Sequence, residues 1–504
     1  MNAGIAPSET GGIERSGFPA RLGLWLGPAL AILIYVLLGS ATLDEPARRL
    51  AGVTVLMAVW WITEAIPLPA TAMLPLVLFH PLNIQPMGDA TRGYAHHLVF
   101  LFMGGLFLGQ ALERWGAHRR LALSVILMVG TSPRRIVAGI MLAAALLSAF
   151  VSNTATAMMM LPIVTSIALL AGGDAPDRPE ARSYATCLLL GLAYASSIGG
   201  AMTITGTAPN GILIAYLRDS QGTTIGWGRW LWFGVPLVMV LLPITWLVLV
   251  FVASPVRIGA IPGGRAHIRG LLDRMGKPSR GEILAIGTFA LTALLWISHK
   301  PITARLNDWL TDGGKEGTPL TGLHDTAIAI GGATLLFLLP AGKGRRVLDW
   351  KSAERIPWGV LILFGGGLSL AGAFGATGLD EWLGGLMAGA KGLHPLLILL
   401  GVTTLIVFMT ELTSNTATTS TMLPVLGAAA IGLGVQAQPL VVAAAVAASC
   451  AFMLPVATPP NAIVFSSGRV SIRAMMRAGL WLNIASITVI SGLVWFLGGR
   501  LLGY

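Results

Sequence analysis

Long apolar runs separated by short polar loops dominate the chain, and each is long enough, or nearly so, to cross a hydrocarbon core as a helix. They fall at 22–42, 50–66, 68–80, 98–112, 183–217, 230–254, 282–298, 324–340, 357–376, 437–466 and 478–499. Two further apolar stretches, 136–170 and 395–433, need a different geometry because each carries a polar cluster in its interior. No charge lies between Ile136 and Gly173, while Arg134-Arg135 precede that stretch and Asp174, Arg178 and Arg182 follow it, so both ends belong on one side of the bilayer. The solution is a helical hairpin that enters, turns at its polar cluster and returns. The stretch 395–433, flanked by the Asp380-Glu381 loop and a short loop holding Gln436, is a second hairpin entering from the other face. The pattern predicts an all-α polytopic membrane protein of about 11 transmembrane segments with two re-entrant hairpins.

Composition supports that class. With 55% hydrophobic residues, 11% charged residues and a mean hydropathy of +0.76, the chain is built for lipid and not for water. A net charge of +11 would suit nucleic acid, but the basic residues lie in short loops between apolar spans, where they set orientation. With the amino terminus inside, the inside segments hold 23 Lys/Arg and the outside segments 10, which predicts a multi-pass protein of the plasma (cytoplasmic) membrane with a cytoplasmic amino terminus and an external carboxy terminus. The first apolar run follows Arg15 and Arg21 and lacks a small-residue cleavage site, so it reads as a retained span. Cys187 and Cys450 lie in predicted spans and indicate neither a disulfide framework nor a zinc site. The segment 255–281, with Gly259, Pro262, Gly263, Gly264 and six Lys/Arg, reads as a cytoplasmic linker. It divides an amino-terminal region 1–49 and a repeat over 50–254 from a repeat over 282–504.

The repeat is visible in the polar clusters themselves. Ser152-Asn153-Thr154-Ala155-Thr156 recurs 262 residues later as Ser414-Asn415-Thr416-Ala417-Thr418. The same offset places Leu161-Pro162 on Leu423-Pro424 and Phe102–Leu106 on Phe364–Leu368. Corresponding elements run in opposite directions across the bilayer, which makes this an inverted repeat of the kind common in secondary transporters.

A hydrophobic segment has little use for such a cluster unless something polar is bound there. An asparagine can turn its amide oxygen to a cation and its NH₂ to an anion, and Ser and Thr hydroxyls serve either, so one triplet can bridge a metal ion and a carboxylate. The plainer alternative is that Ser-Asn-Thr only caps the second helix of each hairpin. A second pair of motifs, Gly206-Thr207-Ala208-Pro209-Asn210 and Ala457-Thr458-Pro459-Pro460-Asn461, predicts two broken helices. Proline removes an N–H and disfavours helix before it, leaving carbonyls that suit a hard monovalent cation. A simple proline kink is the alternative there. No Lys or Arg lies in Ile136–Gly173 or Gly392–Gly468, so a dicarboxylate at the hairpin tips lacks a side-chain counter-charge from those segments. At ~6 Å and an effective dielectric of ~20, a bound cation supplies roughly 3 kcal/mol toward a unit negative charge, which favours cation coupling. Helix N-termini also hold anions without metal, so a sodium-independent dicarboxylate exchanger is the rival.

In combination, these hairpin tips and breaks, with Ile62-Thr63-Glu64-Ala65-Ile66-Pro67 and Thr410-Glu411-Leu412-Thr413, resemble the divalent anion:sodium symporter family, the group of INDY-type dicarboxylate and citrate carriers. The resemblance covers nearly the whole chain after the first span. It implies a homodimer in membrane lipid in which a transport domain containing both hairpins moves as an elevator against a scaffold. It further implies one sodium site from Ser148, Ser152, Asn153 and the Gly206 carbonyl. A second would use Thr410, Asn415 and the Thr413 and Ala457 carbonyls. Substrate carboxylates would be held by Ser152, Asn153, Thr154, Ser414, Asn415 and Thr416, with Thr207, Thr458 and Pro459 lining the pocket. The expected function is import of succinate-, malate- or fumarate-class dicarboxylates with sodium as coupling ion and no cofactor; citrate or sulfate are other cargoes of such a family. Ser152 to Thr207 is 55 residues and Ser414 to Thr458 is 44, a difference expected to fall in the polar loop 171–182.

Other residues carry less. Glu64 and Glu411 fall within spans, where a proton relay competes with a structural hydrogen-bond role favoured for Glu411. His96-His97 lie at a span entrance, and the Trp60-Trp61 and Trp230/Trp232 pairs suit membrane anchoring. No Ser/His/Asp set or His-rich motif accompanies the triplets, so an enzyme is not indicated, and a channel would show pore-lining rings.

Overall fold

The computed structural model describes residues 18–39, 43–173, 178–259, 261, 263–310, 324–342, 344–387 and 392–503. The amino-terminal half runs α1 (Phe18–Leu37), α2 (Glu45–Thr63), α3 (Leu68–Thr71), α4 (Leu74–Leu78), α5 (Met87–Arg92) and α6 (His97–Arg114). It continues through α7 (Ala117–Val129), α8 (Pro133–Ser148), α9 (Asn153–Gly172), α10 (Pro179–Gly200), α11 (Ala208–Gln221) and α12 (Trp227–Leu247). Next come α13 (Gly264–Asp273), α14 (Arg280–Leu310), α15 (Asp325–Leu338), the antiparallel pair β1 (Pro340–Gly342) and β2 (Arg345–Arg346), α16 (Trp350–Ala353), α17 (Trp358–Thr377) and α18 (Leu379–Met387). The chain closes with α19 (Pro395–Met409), α20 (Asn415–Leu433), α21 (Ala437–Ala447), α22 (Pro459–Ser466), α23 (Ile472–Leu493) and α24 (Gly499–Leu502).

Proline punctuates this order. It stands in the first turn of α2, α3, α4, α8, α10, α11, α19 and α22, where its missing N–H has no helical partner to lose. Eight described helical stretches are long and apolar enough to cross a membrane, and shorter apolar helices lie at Leu68–Leu78, Asp325–Leu338, Pro395–Met409 and Ala437–Ala447. The chain is therefore a multi-pass helical membrane protein, in which every backbone group must be satisfied within the fold.

The spacing of elements follows the sequence repeat: α19 starts 262 residues after α8, and α20 starts 262 after α9. The halves interleave. After its break, the first half sends α11 to pack on α20 and α21, while the second sends α22 to pack on α9 and α10. Close approach is built from small residues, as expected where lipid offers no hydrophobic drive between helices. A methyl group placed on Gly199 of α10 would stand 2.4 Å from the Ala145 Cα of α8. On the polar flank, Arg120 of α7 binds the buried Glu282 of α14 at 2.5 Å, and Arg114 of α6 binds Asp349 at 2.5 Å. Partial burial opposes charge on Asp349, but hydrogen bonds from Ser352 and Arg114 outweigh it and hold the carboxyl below its ordinary range.

Several expectations are corrected. The stretch between the expected spans 98–112 and 136–170 contains α7, whose buried Ala122, Leu123, Val125 and Ile126 follow closely on Arg119 and Arg120; that mixture hides it from a search for apolar runs. The linker 255–281 contains α13, which buries Ile268 and exposes Arg265 and Arg269. The single run 68–80 is two short helices, each restarted by proline at Pro69 and Pro75. The extra length between Ser152 and Thr207 is only partly loop: α10, which begins at Pro179 inside the stretch 171–182, has 22 residues against 11 for α21. Trp61 and Trp230 are buried rather than anchored at an interface: their indole N–H groups donate to the Leu68 and Ala201 carbonyls, both at 3.2 Å.

Candidate functional site

The two polar clusters occupy the turns between consecutive helices, α8 to α9 and α19 to α20. In the first, Ser152 caps α9, its hydroxyl accepting from the Ala155 N–H at 3.2 Å, so the capping alternative holds for that residue. In the second, Ser414 stands at the cap of α20 without a side-chain capping bond, and capping does not account for it.

The asparagines are used identically. The Ser148 hydroxyl donates to Asn153 Oδ1 at 2.6 Å, and the Thr410 hydroxyl donates to Asn415 Oδ1 at 2.8 Å. Ser148 and Thr410 are fully buried behind their turns. Among the described residues, neither Nδ2 has a protein partner.

Residues 201–207 and 448–458 carry the two breaks, after α10 and after α21. Asn210, completely buried, donates through Nδ2 to the Gly200, Ala201 and Thr203 carbonyls, the last at 2.8 Å. Asn461, equally buried, donates to the Ala451 and Leu454 carbonyls at 3.2 and 3.0 Å. The motif asparagines thus close off carbonyls that the breaks release, a role the sequence reading did not assign; the signal was the proline beside each, which removes a donor that another group must replace. In the second half the released N–H groups are also taken up. Glu411, buried, accepts from Phe452, Met453 and Leu454 at 2.7, 2.9 and 3.1 Å and from Asn483 Nδ2 at 2.8 Å. That is the structural hydrogen-bond role expected for it.

Beside the first turn, oxygens converge. A Cβ built on Gly200 would stand 2.6 Å from Asn153 Oδ1 and 3.2 Å from the Gly206 carbonyl. Two of the four expected ligands therefore lie beside the space that Gly200 leaves open, and a third, Ser148, is bonded through Oγ to that same Asn153 oxygen. Gly200 itself was not foreseen as part of the site. Neutral oxygens of this kind fit a hard monovalent cation. In the second half the Thr410 hydroxyl lies 2.8 Å from Asn415 Oδ1 and 2.9 Å from the Ala448 carbonyl, so its one proton is shared between the two acceptors.

Both turns and both breaks face one chamber of about 750 Å³. Ser152, Asn153, Thr154, Thr207, Ser414, Asn415, Thr416, Thr458 and Pro459, the nine residues expected to hold substrate, all line it. Of the expected cation ligands, Gly206, Thr413 and Ala457 also line it, while Ser148 and Thr410 stand behind it. Phe102, Leu106, Thr205, Pro357 and Val360 also line it, none of them expected from the sequence as site residues. His96 lies elsewhere, with its Nε2 3.2 Å from Asp219 Oδ2.

The family model described as the sodium:sulfate symporter transmembrane region matches residues 22–502. The sodium-dependent dicarboxylate transporter SdcS of Staphylococcus saprophyticus is 40% identical over 490 residues, covering 96% of this chain and 92% of that protein. SdcS of Staphylococcus aureus is 40% identical over 493 residues with the same coverage. Among solved structures, the Alcanivorax borkumensis YdaH transporter superposes with a TM-score of 0.54 at 18% identity, covering 97% of this chain and 99% of its own. Neisseria gonorrhoeae MtrF does so with 0.57 at 15%, covering 93% and 98%. These two likenesses concern the fold alone.

Proposed function

The chain belongs to the sodium:sulfate symporter family, and on that premise we propose that it is a secondary active transporter importing C4-dicarboxylates together with sodium. The observation that carries this reading is the meeting of both Ser-Asn-Thr turns in one chamber whose described lining contains no Lys, Arg or His. A dianion there is held by Asn153 and Asn415 Nδ2, by Ser and Thr hydroxyls and by the N-termini of α9 and α20, none of which carries a full positive charge. Sodium supplies that charge. One ion is held by Ser148, Ser152, Asn153 and the Gly206 carbonyl, and the other by Thr410, Asn415 and the Thr413 and Ala457 carbonyls. Because each asparagine oxygen serves the ion while its NH₂ serves the carboxylate, filling the cation sites orients the donors for the anion. Tight binding of either species then requires the other.

We infer further that the two halves are inverted repeats, that α8–α9 and α19–α20 are re-entrant hairpins, and that about 11 segments cross or enter the bilayer. The uneven Lys/Arg distribution supports a cytoplasmic amino terminus in the plasma membrane. In the same reading the protein is a homodimer whose hairpin-bearing part travels as an elevator. Thermal unfolding of the purified protein tests the shared site. Succinate should raise Tm in sodium buffer and leave it unchanged in choline buffer; stabilisation by succinate without sodium would favour dicarboxylate exchange, and stabilisation by sulfate but not succinate would change the cargo.

A further inference from the structure

One charged side chain stands on the described wall of the anion chamber, and it has the wrong sign for an anion site: Glu64. It ends α2 with a left-handed backbone, φ 49° and ψ 41°, a conformation that glycine adopts readily and glutamate rarely. The side chain is exposed, and no hydrogen bond or ion pair among the described residues involves its carboxylate. The strained turn therefore presents an exposed carboxylate, unpaired among the described residues, on the chamber wall. A glycine would end the helix with less strain and no charge, so the turn alone does not account for the residue.

We propose that Glu64 makes the chamber asymmetric: on the wall at this end of the chamber its charge repels the anionic cargo and promotes release of dianions there. This rests on the dicarboxylate reading above. A fixed charge on the wall of a low-dielectric cleft focuses its field into the opening. At a separation of about 10 Å in unscreened water, one such charge acting on two negative charges weakens binding about threefold to fivefold. The effect falls as salt shortens the screening length. By the Lys/Arg distribution α2 runs from outside to inside and carries Glu64 at its cytoplasmic end, so the residue lowers affinity on the delivery side of an importer without lowering it on the uptake side.

The test is the KM for succinate measured separately from each face, in right-side-out and inside-out membrane vesicles, for wild type, Glu64→Gln and Glu64→Asp at matched abundance. Glu64→Gln should lower KM about threefold to fivefold at the cytoplasmic face only, with the difference shrinking in high salt. Glu64→Asp, which keeps the charge, should follow wild type. A structural role alone would change turnover at both faces and would not separate the two KM values. Wild-type transport with an unchanged or raised cytoplasmic KM in Glu64→Gln overturns this inference alone. Wild-type vesicles that move no succinate from either face overturn the dicarboxylate reading and this inference with it.

Discussion

The Ser148 hydroxyl donates to the Asn153 amide oxygen at 2.6 Å across the turn that joins α8 to α9. Thr410 does the same to Asn415 at 2.8 Å in the other half. The bond turns each amide oxygen toward the buried hydroxyl and leaves the NH₂ without a protein partner among the described residues. Removing the amide removes a cation ligand and an anion donor together. Asn153→Ala and Asn415→Ala should each lower succinate uptake at least about a hundredfold, while the protein stays monodisperse in detergent. Near-normal uptake by either variant would count strongly against one shared site.

Gly200 tests the cation half of that site. A methyl group there would lie 2.6 Å from Asn153 Oδ1, closer than van der Waals contact permits, so the asparagine must shift. Gly200→Ala should raise the sodium concentration for half-maximal uptake at least about tenfold. An unchanged sodium dependence would separate Gly200 from the cation site.

Glu411 tests how the second break is held. Its carboxylate takes three consecutive backbone N–H groups, and Glu411→Ala leaves those donors without that acceptor. The expected cost is about 3 kcal/mol or more, read as a fall of several degrees in Tm and poor recovery from the membrane. A variant as stable as wild type would mean that the break does not depend on this residue.

Sidedness has its own test. The native cysteines Cys187 and Cys450 are buried, so exposed cysteines can be read against a quiet background. Arg178→Cys, beyond the end of α9, and Leu393→Cys, before the start of α19, both replace exposed residues. They should react with an impermeant maleimide from opposite faces of sealed vesicles. Reaction from one face would contradict the inverted repeat.

Much of this was legible because a bilayer makes sequence patterns literal. A long run without charges must be a helix within the bilayer, and a polar cluster inside one must have a use, so both Ser-Asn-Thr turns and both proline breaks stood out. What escaped notice were elements that alternate. The helices α7 and α13 cover the fold with one face and show Arg119, Arg265 and Arg269 outside, so no apolar run announces them. Packing partners were equally hidden: nothing in the sequence says that Trp230 reaches the Ala201 carbonyl or that Glu411 serves Phe452, because those contacts depend on how the breaks fold back. Gly200 was missed for a related reason, since a glycine's value lies in the neighbour it admits and sequence does not name that neighbour.

The central claim is that the asparagine pair couples sodium to a dicarboxylate, and uptake into sealed proteoliposomes addresses it most directly. Radiolabelled succinate should accumulate above its external concentration when sodium is imposed outside, and should only equilibrate slowly when choline replaces it. Accumulation that ignores sodium and requires preloaded dicarboxylate inside would contradict the account and identify an exchanger.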